Sequence, residues 1–156
     1  MSEVWIQRLE DKNHDNRREA AFVLGNTGDP EVIAPLLKMA ADPEEAVWAA
    51  THRGELVDPD SPDHPRVVAI ESVLRLAQNE DCWVELRQCL THRDPDIRGQ
   101  AAWCLGYCPY TDEDRRAEVE QALKNALKEP DQRVVYNALL ALENLRAVEL
   151  ANILPL

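Results

Sequence analysis

Cys104 and Cys108 are four residues apart, so on a helix they would share a face, and with His92 they could form part of a zinc site. That chemistry does not close. Neither thiol belongs to a tight Cys-x-x-Cys pair, and Cys82 and Cys89 do not complete a ligand set. Free cysteine is among the most buried residue types, so all four read as packing residues, with neither metal nor disulfide holding the fold. Asp112-Glu113-Asp114 and Asp58-Pro59-Asp60 could offer carboxylates to calcium. The first is a better helix start, where acids meet the positive end of the helix dipole. The second lacks the ligand spacing of an EF-hand loop. Ser2, Ser61 and Ser72 lie in no elbow that would activate a nucleophile. The five glycines are spread along the chain as helix stops and form no phosphate-cradling loop. No catalytic set, metal site or cofactor site follows from these residues.

With 156 residues and 45% hydrophobic content, the chain can build one domain over 1–156 with its own core. Its formal net charge is -12, which disfavours phosphate backbones and anionic membranes, so neither nucleic acid nor membrane is an expected partner. The same charge would steer a basic partner toward it. No apolar run is long enough to span a bilayer and no signal peptide opens the sequence, so a cytoplasmic protein is expected.

The elements that must position these residues repeat. Arg17-Arg18-Glu19-Ala20-Ala21-Phe22-Val23-Leu24-Gly25 and Arg98-Gly99-Gln100-Ala101-Ala102-Trp103-Cys104-Leu105-Gly106 share Arg, Ala, Ala, Leu and Gly at identical offsets. With the Arg as slot zero, the small pair occupies slots three and four, the Leu slot seven and the Gly slot eight. Slots three, four and seven share one face at about 100° per residue. Weaker copies start at Arg66 (Ala69, Ile70, Val73), Ala46 (Ala49, Ala50, Gly54, with Arg53 in the Leu slot) and Val135 (Ala138, Leu139, Leu142). Asp29-Pro30-Glu31, Asp42-Pro43-Glu44 and Asp94-Pro95-Asp96 each place an N-cap acid before a proline suited to the first helical turn. Asp42 with Glu45, and Thr111 with Asp114, have capping-box spacing. Helix is the only regular structure these patterns predict. The step from 46 to 66 is too short for a full helix pair, so either a helix is missing or the segment 43–54 starts the next repeat. An irregular, Pro-rich loop is expected around 55–65.

These residues resemble HEAT repeats, in particular the short HEAT-like class named after phycobilisome lyases. Asn16-Arg17, Ala20-Ala21, Leu24-Gly25 and Gly28-Asp29 match that pattern, as does Ile97-Arg98 through Gly106. The resemblance implies an all-α fold, a right-handed α-solenoid of four to five helix pairs with atypical ends. It implies a non-catalytic scaffold or adaptor for another protein. The alternative it implies is a tetrapyrrole (bilin) lyase-like or chromophore-handling protein. Another branch of the family binds two irons through adjacent His-Glu pairs, but His14, His52, His64 and His92 are followed by Asp, Arg, Pro and Arg. The recurring Arg17, Arg66 and Arg98 read as structural, pairing with acids in the turns of a neighbouring repeat.

Slot five lies opposite the packed face and holds Phe22 and Trp103 in the two best copies and Leu140 in the last. Slots one and nine flank it with Arg18, Val67, Tyr136, Arg75 and Tyr107. Gly99 would leave Trp103 open on one flank. In solenoids of this class the second helices line the concave surface. The stripe Arg18, Phe22, Val67, Arg75, Trp103, Tyr107, Tyr136 and Leu140 is therefore either a protein-binding groove or a packing seam between repeats.

Overall fold

The computed structural model describes residues 2–42, 49–50, 56–58 and 60–153, with the backbone alone at 49–50 and 56–57. Among these residues lie the α-helices α1 (Ser2–Arg8), α2 (His14–Leu24), α3 (Ile33–Ala41), α4 (Pro65–Leu76), α5 (Glu80–Gln88), α6 (Pro95–Tyr107), α7 (Glu113–Ala126) and α8 (Gln132–Ile153). A 3₁₀ turn, Pro30–Val32, leads into α3, and another, Cys89–Thr91, follows α5. The fold is all-α, an α-solenoid of stacked helix pairs. None of the described helices is long and apolar enough to cross a membrane.

The chain forms two compact units, Met1–Leu86 and Arg87–Leu156, with the boundary inside α5. In the first, α1 packs on α2, α3 on α4, and α2 on α4. In the second, α7 packs on α8 and α6 on α8.

The helix starts are dictated by local chemistry. The Asp29 and Asp94 carboxylates accept from the backbone N–H groups of Glu31 and Asp96, each at 2.9 Å, as the Asp-Pro-acid pattern predicts. The α7 cap is Asp112 rather than Thr111, because its carboxylate accepts from both Asp114 N (2.9 Å) and Arg115 N (3.4 Å). Asn13 caps α2 by accepting from Asp15 N at 2.8 Å. His64, fully buried, caps α4 through Nδ1, which accepts from Arg66 N at 3.2 Å.

The segment between α3 and α4 departs from expectation. Ala49–Ala50 (β1) and Leu56–Val57 (β2) form a short antiparallel ladder, Ala49 opposite Val57 and Ala50 opposite Leu56. Helix is thus not the only regular structure, and the copy placed at Ala46 is not helical at its small pair. The reason is that α3 packs directly on α4, so the pair needs no apolar helical face from Ala49 and Ala50, and Arg53 in the Leu slot offers none. The rest of that expected helix, 43–48 and 51–54, lies outside the described residues, as does the Asp42–Glu45 capping box. Asp42 itself ends α3 with φ -63° and ψ 122°.

The slot register holds where helices stack. Ala20, Ala21, Leu24, Ala69, Val73, Ala101, Ala102 and Leu105 are all fully buried. Slot eight does more than stop a helix. A Cβ built on Gly25 would lie 2.6 Å from Ser72 Cβ, and one on Gly106 would lie 2.3 Å from Ala141 Cβ. Gly106 sits inside α6, not past its end. Ser72 and Ala141 both occupy slot six of the following copy, so one contact recurs in the two units. Slot nine repeats as well: Arg75 Nε donates to Gly25 O at 3.3 Å, and Asn144 Nδ2 donates to Gly106 O at 2.8 Å. Ser72 Oγ adds a buried bond to Ala21 O at 2.8 Å.

Two of the three slot-zero arginines are structural; Arg66 makes no side-chain hydrogen bond or ion pair among the described residues. Arg17 Nη1 donates to Asp11 O at 2.6 Å and Arg98 Nη1 to His92 O at 2.9 Å, each tying a helix to the carbonyl six residues upstream. Arg98 also pairs with Glu129, Nε to Oε1 at 3.1 Å, in the turn before α8. Beside it, Arg133 of α8 reaches Asp96 in the first turn of α6 at 2.6 Å.

Candidate functional site

In the first unit, α2 and α4 hold a groove of about 600 Å³ between them, which Pro62 and Asp63 also line. Phe22 lines it and is exposed by 56% although α2 is packed on two sides. The slot register explains the exposure: slots three, four and seven face inward, so slot five points out. The Arg75 guanidinium lies 5.3 Å over the Phe22 ring while its Nε holds Gly25 O, so the aromatic face is fixed in place. Arg18 lines the same groove and pairs with Asp15 at 3.7 Å. Val67 is half-buried and is not part of this lining; its neighbour Val68 is. Glu19, Asp63 and Glu71 also line the groove, and none is ion-paired among the described residues.

In the second unit, Trp103 and Tyr107 stack on α6, with ring centroids 4.0 Å apart and planes at 15°. Tyr107 is exposed and Trp103 half-buried. Gly99 does not open a flank for Trp103, since a Cβ there would meet Asn137 Nδ2 of α8 at 3.0 Å. Tyr136, exposed, and Leu140, half-buried, stand at slots one and five of α8. Of the eight residues, Arg18, Phe22 and Arg75 share one groove in the first unit, and Trp103 and Tyr107 form one stack in the second. The groove walls Asp15, Glu19 and Val68 went unread because they occupy slots that the repeat pattern leaves free, and Asp63 because it lies in the connection.

Cys82, Cys89, Cys104 and Cys108 are free thiols, all buried. Burial pushes the Cys104 thiol far up and that of Cys108 up to about 11, so both stay protonated and weakly nucleophilic at neutral pH. Cys82 is also raised, first by burial and then by Asp29, Asp81 and Glu85; its thiol donates to Gly28 O at 3.4 Å. Among the described residues, no three His, Cys, Asp or Glu side chains gather as metal ligands. Native protein at pH 7.5 should resist iodoacetamide at all four cysteines and take up four labels in guanidinium. Its melting temperature should not respond to chelator or reductant. Rapid labelling of Cys104 in the native state would contradict the packing described here.

The HEAT-repeat family model matches residues 2–85 and 84–154, nearly the whole chain. Among curated proteins, the chain is similar to the Hsp70 nucleotide exchange factor fes-1 of Neurospora crassa, 34% identical over 90 residues. That match covers 50% of this chain and 35% of the relative, so the chain spans about a third of that protein's length. Among solved structures, it is similar to an engineered protein from the Northeast Structural Genomics Consortium, with a TM-score of 0.38 and 15% identity over 92% of this chain and 62% of that one. The repeat register, the paired helices and this family match lead to one conclusion: the chain belongs to the HEAT-repeat family.

Proposed function

We propose that this chain is a non-catalytic interaction module that binds another protein through the outward stripe of its second helices. The observation that carries the proposal is Phe22, a large aromatic side chain left exposed in a groove and clamped by Arg75. Exposed, rigidly held aromatics flanked by arginine supply much of the binding energy at protein interfaces. In the second unit, Trp103, Tyr107, Tyr136 and Leu140 provide surface of the same kind. The partner segment is basic, because Glu19, Asp63 and Glu71 rim the groove and the chain's net charge is -12.

The test is comparative capture from extract of the source cell. Immobilised parent protein should retain a partner that Phe22→Asp loses, and retention should weaken with added salt. Equal capture by parent and variant, or by parent and a blank matrix, would remove the groove from the account. A second reading, that the partner is an Hsp70-type chaperone, rests on the similarity to an exchange factor. It predicts such a chaperone among the proteins that Phe22→Asp fails to retain.

A further inference from the structure

The outer face of α8 has a pattern that goes beyond the repeat register and that meets the partner stripe only at Tyr136. In the earlier copies, slots four and eight receive the following helix: the carbonyl of Ala21 holds Ser72, Gly25 abuts Ser72, and Gly106 abuts Ala141. On α8 the same slots are Leu139 and Glu143, both exposed, and no helix among the described residues covers them. They belong to a longer row. Tyr136, Leu139, Glu143, Arg146, Leu150 and Ile153 follow one another at steps of three, four, three, four and three, the spacing of a coiled-coil seam. All six are exposed, Tyr136 by 63% and Ile153 by 68%. The buried face of α8, with Val134, Ala138, Ala141 and Leu145, lies on the other side of the helix.

The row is self-complementary. If a second α8 runs antiparallel across it about the row's midpoint, Tyr136 meets Ile153, Leu139 meets Leu150, and Glu143 meets Arg146, each pair occurring twice. Two apolar layers then flank a central pair of opposite charges on either side of a two-fold axis. That is the isologous arrangement of a symmetric dimer. Charge favours a copy of this chain as the occupant. A chain of net charge -12 repels itself where acids dominate, but this row carries one acid and one base in matching positions. Neither Glu143 nor Arg146 is ion-paired within the chain among the described residues. Glu143, in the slot that Gly25 and Gly106 hold in the two best copies, also forbids the close approach of the internal seams and suits the wider spacing of a coiled-coil pair.

We infer that the exposed face of α8 is an antiparallel self-association seam that joins two copies of this chain. The inference stands apart from the partner stripe, with which it shares Tyr136 alone. Sedimentation equilibrium on the full chain tests it. One helix pair is a small interface, so the measurement runs at concentrations on the order of 100 µM. The parent should show the mass of two 17.7 kDa chains. Glu143→Arg and Arg146→Glu, each of which sets like charges face to face, should each weaken association by roughly ten- to a hundredfold. An equimolar mixture of the two variants restores opposite charges across the seam and should recover the dimer. Circular dichroism should show each variant as helical as the parent. A monomeric parent at these concentrations, a single variant that dimerises as well as the parent, or a mixture that stays monomeric would each overturn the seam.

Discussion

Gly106→Ala should lower the stability of the protein by about 1–3 kcal/mol, the usual cost of overpacking a close contact. The sign is what makes this informative. Replacing glycine by alanine inside a helix ordinarily stabilises by about 0.5–1 kcal/mol, because the unfolded chain loses freedom. Here the added Cβ would lie 2.3 Å from Ala141 Cβ, 2.4 Å from Ala141 Cα and 2.9 Å from Ala141 O. Two of those atoms are backbone and cannot rotate away, so α6 and α8 would have to separate and strain the Asn144–Gly106 bond. Ala101→Leu, at fully buried slot three of the same helix, should cost a comparable amount, as should Ala20→Leu in the first unit. Denaturant unfolding of each variant against the parent reads the effect. A Gly106→Ala protein as stable as the parent would show that α6 and α8 are not in the contact described.

How far the sequence reveals this architecture depends on the kind of contact. Slots three, four and seven were legible because burying an apolar face against a neighbour demands small or aliphatic side chains at fixed helical spacing, as at Ala20, Ala21 and Leu24. The Arg98–Glu129 pair was legible in kind, since the recurrence of Arg in register with the fold implies a structural partner. The short ladder between α3 and α4 was not. Ala49 and Ala50 match the small pair, but alanine carries no information on whether it is packed, and the pairing of α3 with α4 is set by contacts distant in sequence. Gly106 reads as a helix stop because glycine has two uses, and only the distance to Ala141 separates them. Leu139 fits the small-pair slot of the last copy yet is exposed, because slot four is buried by the following repeat and none follows among the described residues. At the candidate site, Phe22 was found by the slot pattern, whereas Asp63 and Val68 reach the groove through folding of the connection and through α4.

The second large effect concerns binding. Trp103 is stacked on Tyr107 and half-buried, while the buried face of α6 is carried by Ile97, Ala101, Ala102, Cys104 and Leu105. Trp103→Glu therefore removes a half-buried aromatic that is not one of the fully buried residues of α6. It also adds an acid to an acidic chain, so solubility does not suffer. Loss of an aromatic anchor at an interface typically costs about 2 kcal/mol or more, a thirtyfold or larger rise in Kd. Tyr107 loses its stacking partner as well.

The most direct test of the account is the Kd of the captured partner for parent and Trp103→Glu, measured by calorimetry alongside a thermal melt of each protein. The account predicts a variant that melts within a few degrees of the parent and binds more weakly by about thirtyfold or more. A variant that melts with the parent and binds its partner with parental affinity would contradict the claim that this HEAT-repeat chain works through the outward stripe of its second helices.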